Sequence, residues 1–186
     1  MEALRKEEIC TIEDIYALQE GERAELIDGR IYYMAPPSTR HQRILNYIST
    51  EINLYIRNNN GAYEVFPAPF AVFLDKDDKN YVEPDISVIC DKDKITEKGC
   101  YGAPDWIIEI VSPSSKSMDY FTKLFKYQIS GVREYWIVDP RRKTVTVNFF
   151  EEDILNIQYS FESVIKVNIY DDLYINFFDI ADLLNI

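Results

Sequence analysis

Apolar and polar residues follow helical spacing in some segments of the chain and strand spacing in others. A short helix is predicted to follow the N-cap residue Thr11 and to reach Gly21. Residues 24–27 and 30–34 flank an Asp28-Gly29 pair, which is a strong signal for a two-residue hairpin turn. A long amphipathic helix is predicted over 39–57, ending at the polar run 58–61, because its apolar residues recur at helical spacing: Ile44, Leu45, Ile48, Ile52, Tyr55 and Ile56.

The chain from residue 62 onward is rich in strand patterns. Strands are predicted over 62–66, 70–74, 86–90, 106–111, 132–138, 145–150, 157–161 and 164–167, and the charged stretch 91–102 is predicted to be a loop or short helix. A helix over 115–130 is expected to begin in the capping residues 112–115 and to stop at Gly131, and a last short helix is expected over 178–184. The strand-helix-strand unit from 106 to 138 predicts two parallel strands joined by a right-handed crossover.

These elements predict an α/β (mixed α+β) fold, with a central mixed sheet flanked by helices. A length of 186 residues favours one domain spanning residues 1–186, and 47% hydrophobic residues can form a sizeable core. No apolar run approaches the roughly 20 residues of a membrane helix. The first residues also lack the cationic and then apolar order of a signal peptide, so we expect a cytoplasmic protein without membrane contact.

Charge and residue counts disfavour several function classes. The net charge of -12 opposes tight nonspecific binding to nucleic acid, although a local basic strip or a metal-bridged phosphate contact would be compatible with it. Three cysteines without a Cys-x-x-Cys pair disfavour a disulfide framework and a finger-type zinc site, which leaves reduced structural thiols. A single histidine excludes histidine-rich metal sites, and no glycine-rich phosphate loop occurs.

Glu109 is the acidic residue within an otherwise apolar strand, residues 106–111. Such a run indicates a strand buried on both faces, where an ionised carboxylate needs a cation or hydrogen-bond donors. Asp85 begins the preceding predicted strand, and Lys123 lies on the helix that follows. Two carboxylates on adjacent strands suit Mg²⁺ or Mn²⁺, with the backbone carbonyl of Ile110 as a further ligand. A nearby lysine could orient or deprotonate the attacking water and stabilise developing negative charge.

The helix over 115–130 carries two rows of side chains. Its predicted apolar stripe consists of Met118, Phe121, Leu124, Phe125 and Ile129. Asp119, Lys123 and Tyr127 follow one another at spacings of four residues along the edge of this stripe. This second row is expected to turn toward the acidic pair.

Several ordered motifs carry a resemblance to a known family. They are Glu83-Pro84-Asp85, the run from Pro104 to Ser114 around Glu109, the row Asp119-x3-Lys123-x3-Tyr127, and the run from Gly131 to Pro140. Together they resemble the putative restriction endonucleases of the PD-(D/E)XK superfamily, and the hairpin and His41 are similar to that family's N-terminal part.

The resemblance implies a restriction-endonuclease-like fold and metal-dependent cleavage of DNA phosphodiester bonds. Asp85 and Glu109 would bind Mg²⁺ or Mn²⁺, and Lys123 would be the catalytic lysine. His41, Glu25, Asp119 and Tyr127 are accessory candidates. The superfamily's usual lysine lies two residues after the acid, a position that is Val111 here.

Structural roles remain open for each of these residues. Glu109 could form a buried ion pair, Asp85 could be a turn residue, and Lys123 could pair with Asp119 on the surface. Tyr127 could serve packing, and His41 could serve as a helix cap. Residues 141–143 could form a solvated hairpin tip or contact a phosphate. A catalytically silent nuclease fold that binds nucleic acid or protein is the alternative function. Double-strand cleavage would predict a homodimer.

Overall fold

The computed structural model describes residues 9–59, 61–113 and 115–184. Residues 60 and 114, which belong to the predicted end of one helix and the predicted cap of another, lie outside these ranges. The helices are α1 (Ile12–Tyr16), α2 (Thr39–Asn58), α3 (Leu124–Ser130) and α4 (Phe177–Leu184), and a π-helical segment, Met118–Lys123, leads directly into α3. The strands are β1 (Ala24–Ile27), β2 (Arg30–Tyr33), β3 (Glu64–Pro67), β4 (Val72–Phe73), β5 (Tyr81–Val82), β6 (Ile86–Ile89), β7 (Ile95–Thr96), β8 (Gly99–Tyr101), β9 (Trp106–Ile110), β10 (Glu134–Asp139), β11 (Thr144–Phe149), β12 (Ile154–Ser160), β13 (Val164–Lys166) and β14 (Tyr174–Asn176).

Two mixed sheets and one hairpin organise the strands. The central sheet has the order β12-β11-β10-β9-β6-β3, and a second six-stranded sheet has the order β2-β1-β5-β4-β8-β7. In the central sheet β9 and β10 are parallel, as the crossover pattern predicted, while β9 and β6 are antiparallel. The predicted α/β class with a central mixed sheet and flanking helices is therefore confirmed.

The inner strands of the central sheet, β6, β9, β10 and β11, are buried on both faces because different elements cover each side. On β9, Trp106, Ile108 and Ile110 join the core formed with α2 and α4. Ile107 faces the opposite side, toward α3 and the second sheet. Since side chains alternate along a strand, Glu109 also points to this second side. Every residue of β9 is buried, which confirms the predicted doubly covered strand.

Helix α2 packs its apolar face on the central sheet and presents its first turn at the start of β6. The Ser38 hydroxyl accepts a hydrogen bond from the backbone N–H of His41 at 3.2 Å, which caps the helix. Ile44, Ile48 and Ile52 are buried along the inner face. The cap and the apolar face together fix the position of His41. None of the helices formed by the described residues is long and apolar enough to cross a membrane.

Some predicted boundaries were wrong because very short elements carry little periodicity. Helix α1 ends at Tyr16 instead of reaching Gly21. The predicted loop or short helix over 91–102 contains a 3₁₀ turn, Lys92–Lys94, and the hairpin β7–β8. Gly99 in this hairpin has φ +134°, and a Cβ there would lie 2.2 Å from the carbonyl oxygen of Ala71. A side chain at this position would collide with the backbone of Ala71, which directly precedes β4.

The predicted apolar stripe of the helix after β9 was partly wrong. Met118 and Leu124 pack against the core, but Phe121, Phe125 and Ile129 are 72%, 64% and 58% exposed. The second row does turn toward the acidic pair, as predicted, and Lys123 and Tyr127 are buried in contact with Glu109. The π-helical turn changes the angular spacing of the side chains, and ion pairs hold the polar row inside.

We expect Ile48→Ala to lower the free energy of unfolding by about 3 kcal/mol, because the substitution leaves a cavity between α2 and the central sheet. Leu54 lies on the same helix but is 45% exposed, so Leu54→Ala should lower the free energy of unfolding by less than about 1 kcal/mol. Urea unfolding of both variants measures the difference. Equal losses would contradict this account of how α2 is held.

Candidate functional site

The two predicted metal-binding carboxylates are neighbours because β6 and β9 run antiparallel. Ile86 pairs with Ile108, so the start of β6 lies beside the end of β9. The backbone N–H of Ile110 donates to Asp85 Oδ2 at 2.7 Å. The backbone N–H of Asp85 lies 3.4 Å from Glu109 Oε2. Strand pairing thus brings Asp85 and Glu109 to one end of the sheet.

Lys123 reaches this pair from the π-helical segment. Its Nζ lies 2.8 Å from Glu109 Oε1 and 2.8 Å from Glu25 Oε2. Glu25, on β1, also accepts a hydrogen bond from the backbone N–H of Glu83 at 3.0 Å. Lys123 is only 4% exposed, so the structure places it inside the protein and not in a surface pair.

Tyr127 and Asp119 complete the inward row of the helix. The Tyr127 hydroxyl donates to Glu109 Oε1 at 2.8 Å, and its ring packs edge-on against Tyr135 with centroids 5.0 Å apart. The Asp119 carboxylate accepts a hydrogen bond from the Ser115 hydroxyl at 2.6 Å. The Tyr135 hydroxyl donates to the backbone carbonyl of Asp119 at 3.0 Å. Sequence reasoning missed Ser115 and Tyr135, whose only signals were a cap position and a strand pattern.

The π-helical segment Met118–Lys123 contains both Asp119 and Lys123. π-turns inside α-helices are rare and often occur at functional sites, because the wider turn redirects side chains that an α-helix would spread around its surface. Both residues are buried and line the same cavity. The irregular turn therefore accompanies the convergence of polar groups.

His41 approaches Asp85 from the start of α2. Its Nε2 atom lies 3.0 Å from Asp85 Oδ2. Its Nδ1 atom is buried and has no hydrogen-bond partner among the residues that the structure describes. With Ile110 also bound to the same oxygen, the orientation of the Asp85 carboxylate is fixed from two sides.

The site holds more acidic than basic groups. Burial raises the pKa of Glu109, and the attraction of Lys123 offsets part of this effect. Burial also raises the pKa of Asp119, to about 6. For Lys123, burial alone would lower the pKa, but Glu109 and Glu25 outweigh it and raise the pKa well above the ordinary value. Lys123 is therefore protonated, and it is surrounded by more carboxylates than it can neutralise.

The donor atoms fit a hard divalent cation. The short hydrogen bonds are made to Asp85 Oδ2 and Glu109 Oε1. Among the hydrogen bonds formed by the described residues, the second carboxylate oxygen of Asp85 and of Glu109 has no partner closer than 3.4 Å. Within the described ranges, no group of three or more His, Cys, Asp or Glu has the arrangement of a complete metal site. Mg²⁺ is commonly held by one or two carboxylates, with waters and substrate phosphates as the remaining ligands. The metal role predicted for the Ile110 carbonyl stays a prediction.

These residues lie at the floor of a cavity of about 920 Å³. Its walls come from the end of β2, the segment 35–42, the segment following β9 and the turn after β10. The predicted site residues Glu25, His41, Asp85, Glu109, Ile110, Asp119 and Lys123 all line it, whereas Tyr127 lies behind Glu109. Arg141, at the predicted hairpin tip, and Arg40, which sequence reasoning missed, are exposed at the cavity.

Comparisons with known proteins identify the fold and the family of the chain. A solved structure described as a putative nuclease belonging to DUF820, from Anabaena variabilis, superposes with a TM-score of 0.76, covering 94% of this chain and 98% of that chain. At 22% identity this likeness shows a shared fold. No curated protein matches the sequence. The family model described as "Uma2: Putative restriction endonuclease" matches residues 11–167. The chain therefore belongs to the Uma2 family of putative restriction endonucleases.

Proposed function

We propose that the protein is a divalent-metal-dependent endonuclease that hydrolyses phosphodiester bonds in DNA. The observation that carries this proposal is the convergence of Asp85, Glu109 and Lys123 at the floor of one cavity. Membership of a family of putative restriction endonucleases supports nuclease activity.

Asp85 and Glu109 would hold Mg²⁺ or Mn²⁺ through their less engaged oxygens. When bound, the metal would neutralise charge on the scissile phosphate and increase the acidity of a water molecule. The carboxylates are also close enough to repel one another, so a cation between them would relieve the negative excess of the site. The net negative charge of the protein argues against nonspecific DNA binding, but the carboxylates of this site would attract the cation.

Lys123 acts as a cation and not as a base in the resting protein, because its carboxylate neighbours keep it protonated. At 2.8 Å from Glu109, its ammonium group lies where it can orient the attacking water and stabilise negative charge on the phosphate. This task does not require the lysine to follow the acid on the strand, where Val111 stands. It requires that the helix hold Lys123 rigidly beside Glu109.

Three further residues position this machinery. Tyr127 fixes Glu109 through a 2.8 Å hydrogen bond. Glu25 holds Lys123 at 2.8 Å, and His41 lies against Asp85 at 3.0 Å. Groups whose rotamers are locked in this way keep the catalytic geometry without reorganisation during the reaction.

Asp85→Asn, Glu109→Gln and Lys123→Met should each reduce cleavage by at least about 100-fold, since each removes a charge from the proposed machinery while nearly preserving shape. Cleavage is measured with supercoiled plasmid and circular single-stranded DNA in Mn²⁺ or Mg²⁺. The exposed control variants Glu162→Gln and Lys98→Met should match the parent. Cleavage that survives in all three site variants would contradict the assignment. A parent that cuts neither DNA would favour the silent binding fold.

Mn²⁺ should raise the thermal midpoint of the parent by about 5–10 °C at a concentration 100 times the Kd, because the cation binds only the folded site. The rise should vanish in Glu109→Gln and persist in Glu162→Gln. Scanning fluorimetry with and without chelator measures it. The metal proposal fails if the parent does not respond or if Glu109→Gln responds equally.

Asp119→Asn should stabilise the metal-free protein at pH 7.5 by about 1–3 kcal/mol. Burial raises the Asp119 pKa from 3.8 to about 6, so the folded state retains a proton that the unfolded chain releases between these values. The parent consequently loses stability as pH rises through about 4–6, whereas the variant does not share this loss.

Urea unfolding in chelator at pH 4 and pH 7.5 tests this expectation, and the two proteins should differ by less than about 1 kcal/mol at pH 4. Asp182→Asn, at an exposed position of α4, is the matched control. A gain from Asp119→Asn that is the same at both pH values would contradict the titration argument.

A further inference from the structure

The cavity admits substrate only to a recessed floor. Glu109 and Lys123 are each 4% exposed, and Asp119 is exposed by 1%. A phosphate must therefore leave the outer surface and enter the cavity before it can contact these groups. The shape of the cavity consequently limits which DNA structures can react.

The size of the cavity suits a short stretch of one strand. Its volume of about 920 Å³ lies within the range of roughly 300–1,000 Å³ that is typical of small-molecule pockets, which is a size for a short segment of one strand and not for a duplex. Duplex DNA is stiff over about 150 base pairs and brings a second strand with every nucleotide. A flexible single strand can bend its backbone into the recess, whereas a regular duplex cannot do so without opening.

One wall of the cavity is suited to unpaired bases. Tyr33, at the end of β2, is 67% exposed although it lines the cavity, and Met34, Pro36 and Pro37 continue this apolar wall. The bases of a single strand present open faces that stack on aromatic side chains. Duplex bases are stacked on one another and present only their edges in the grooves. The exposed ring of Tyr33, beside the acidic floor, is therefore suited to stack on a base of single-stranded DNA.

The charge distribution favours the same substrate. The chain carries a net charge of -12, which repels a duplex more strongly than a single strand because the duplex has about twice the charge per unit length. Arg40 and Arg141 are exposed at the cavity and form no ion pair with the described residues. They can meet the phosphates on either side of the scissile bond. A short single strand places few phosphates at the cavity, so it needs few contacts with arginine.

The geometry points to single-stranded DNA, or the single-stranded tail of a duplex, as the substrate of this site. This inference rests on the proposed nuclease function and names its substrate class. The unpaired strand enters the cavity, a base stacks on Tyr33, and Arg40 and Arg141 hold the flanking phosphates. One active site suffices for one strand, so the reaction does not require the homodimer that double-strand cleavage would.

The test compares three end-labelled DNAs of the same sequence: a single strand, a blunt duplex, and a duplex with a single-stranded tail. Cleavage is followed in Mn²⁺, and binding is followed by fluorescence anisotropy in Ca²⁺, used as a divalent cation in place of Mn²⁺. We expect kcat/KM and affinity to be at least about 10-fold higher for the single strand than for the blunt duplex. Cuts in the tailed DNA should lie in the tail.

Tyr33→Ala separates the stacking contact from the chemistry. On the single strand it should raise KM by about 10-fold and change kcat by less than about 3-fold, because the base contact is lost while the acidic floor remains. Tyr174→Ala, at a 53% exposed position outside the cavity, should match the parent. An unchanged KM for Tyr33→Ala would overturn the role of this wall.

The outcomes distinguish the substrate class from the nuclease proposal. Equal or faster cleavage of the blunt duplex would overturn the single-strand inference and leave the nuclease function standing. Preferential single-strand binding without cleavage of any DNA would refute the nuclease function and retain the strand preference. Failure to bind any of the three DNAs would overturn the single-strand inference.

Discussion

The buried ion pair between Lys123 and Glu109, extended by Glu25, is the interaction on which the rest of the site depends. It joins the π-helical segment, β9 and β1 through contacts of 2.8 Å. Removing one partner of such a pair leaves an uncompensated buried charge, which typically costs about 3–5 kcal/mol. The pair therefore fixes the helix against two sheets at the point where the polar groups converge.

This ion pair also explains why the helix presents an apolar row to solvent. An amphipathic helix ordinarily buries its large apolar side chains, but here Phe121, Phe125 and Ile129 are exposed while Asp119 and Lys123 are buried. The local rule is broken in the segment that supplies the candidate catalytic lysine. Conflicts between local pattern and tertiary structure are expected where residues are held for chemistry and not for packing.

The surroundings of the acids account for how a protein with a net charge of -12 could act on DNA. The negative charge that faces the cavity is concentrated at its floor, where a divalent cation would offset it, while Arg40 and Arg141 lie at exposed positions nearby. A phosphate approaching the floor would thus meet arginine before carboxylate. Selectivity would come from which DNA can enter the cavity and less from overall attraction.

The sequence determined the strands of the central sheet, the long helix and the identity of the polar residues, because period-two and helical patterns are local properties of the chain. It also made Glu109 conspicuous, since an acid within a doubly buried strand needs a partner. The spacing of Asp119, Lys123 and Tyr127 predicted that this row turns toward the acidic pair, but only the tertiary structure decided that Lys123 is buried against Glu109 and that Glu25 joins them. Glu25 and Lys123 are separated by 98 positions, and no local pattern relates them. Contacts between distant segments arise from how elements pack, whereas periodicity reports only which face of each element is apolar.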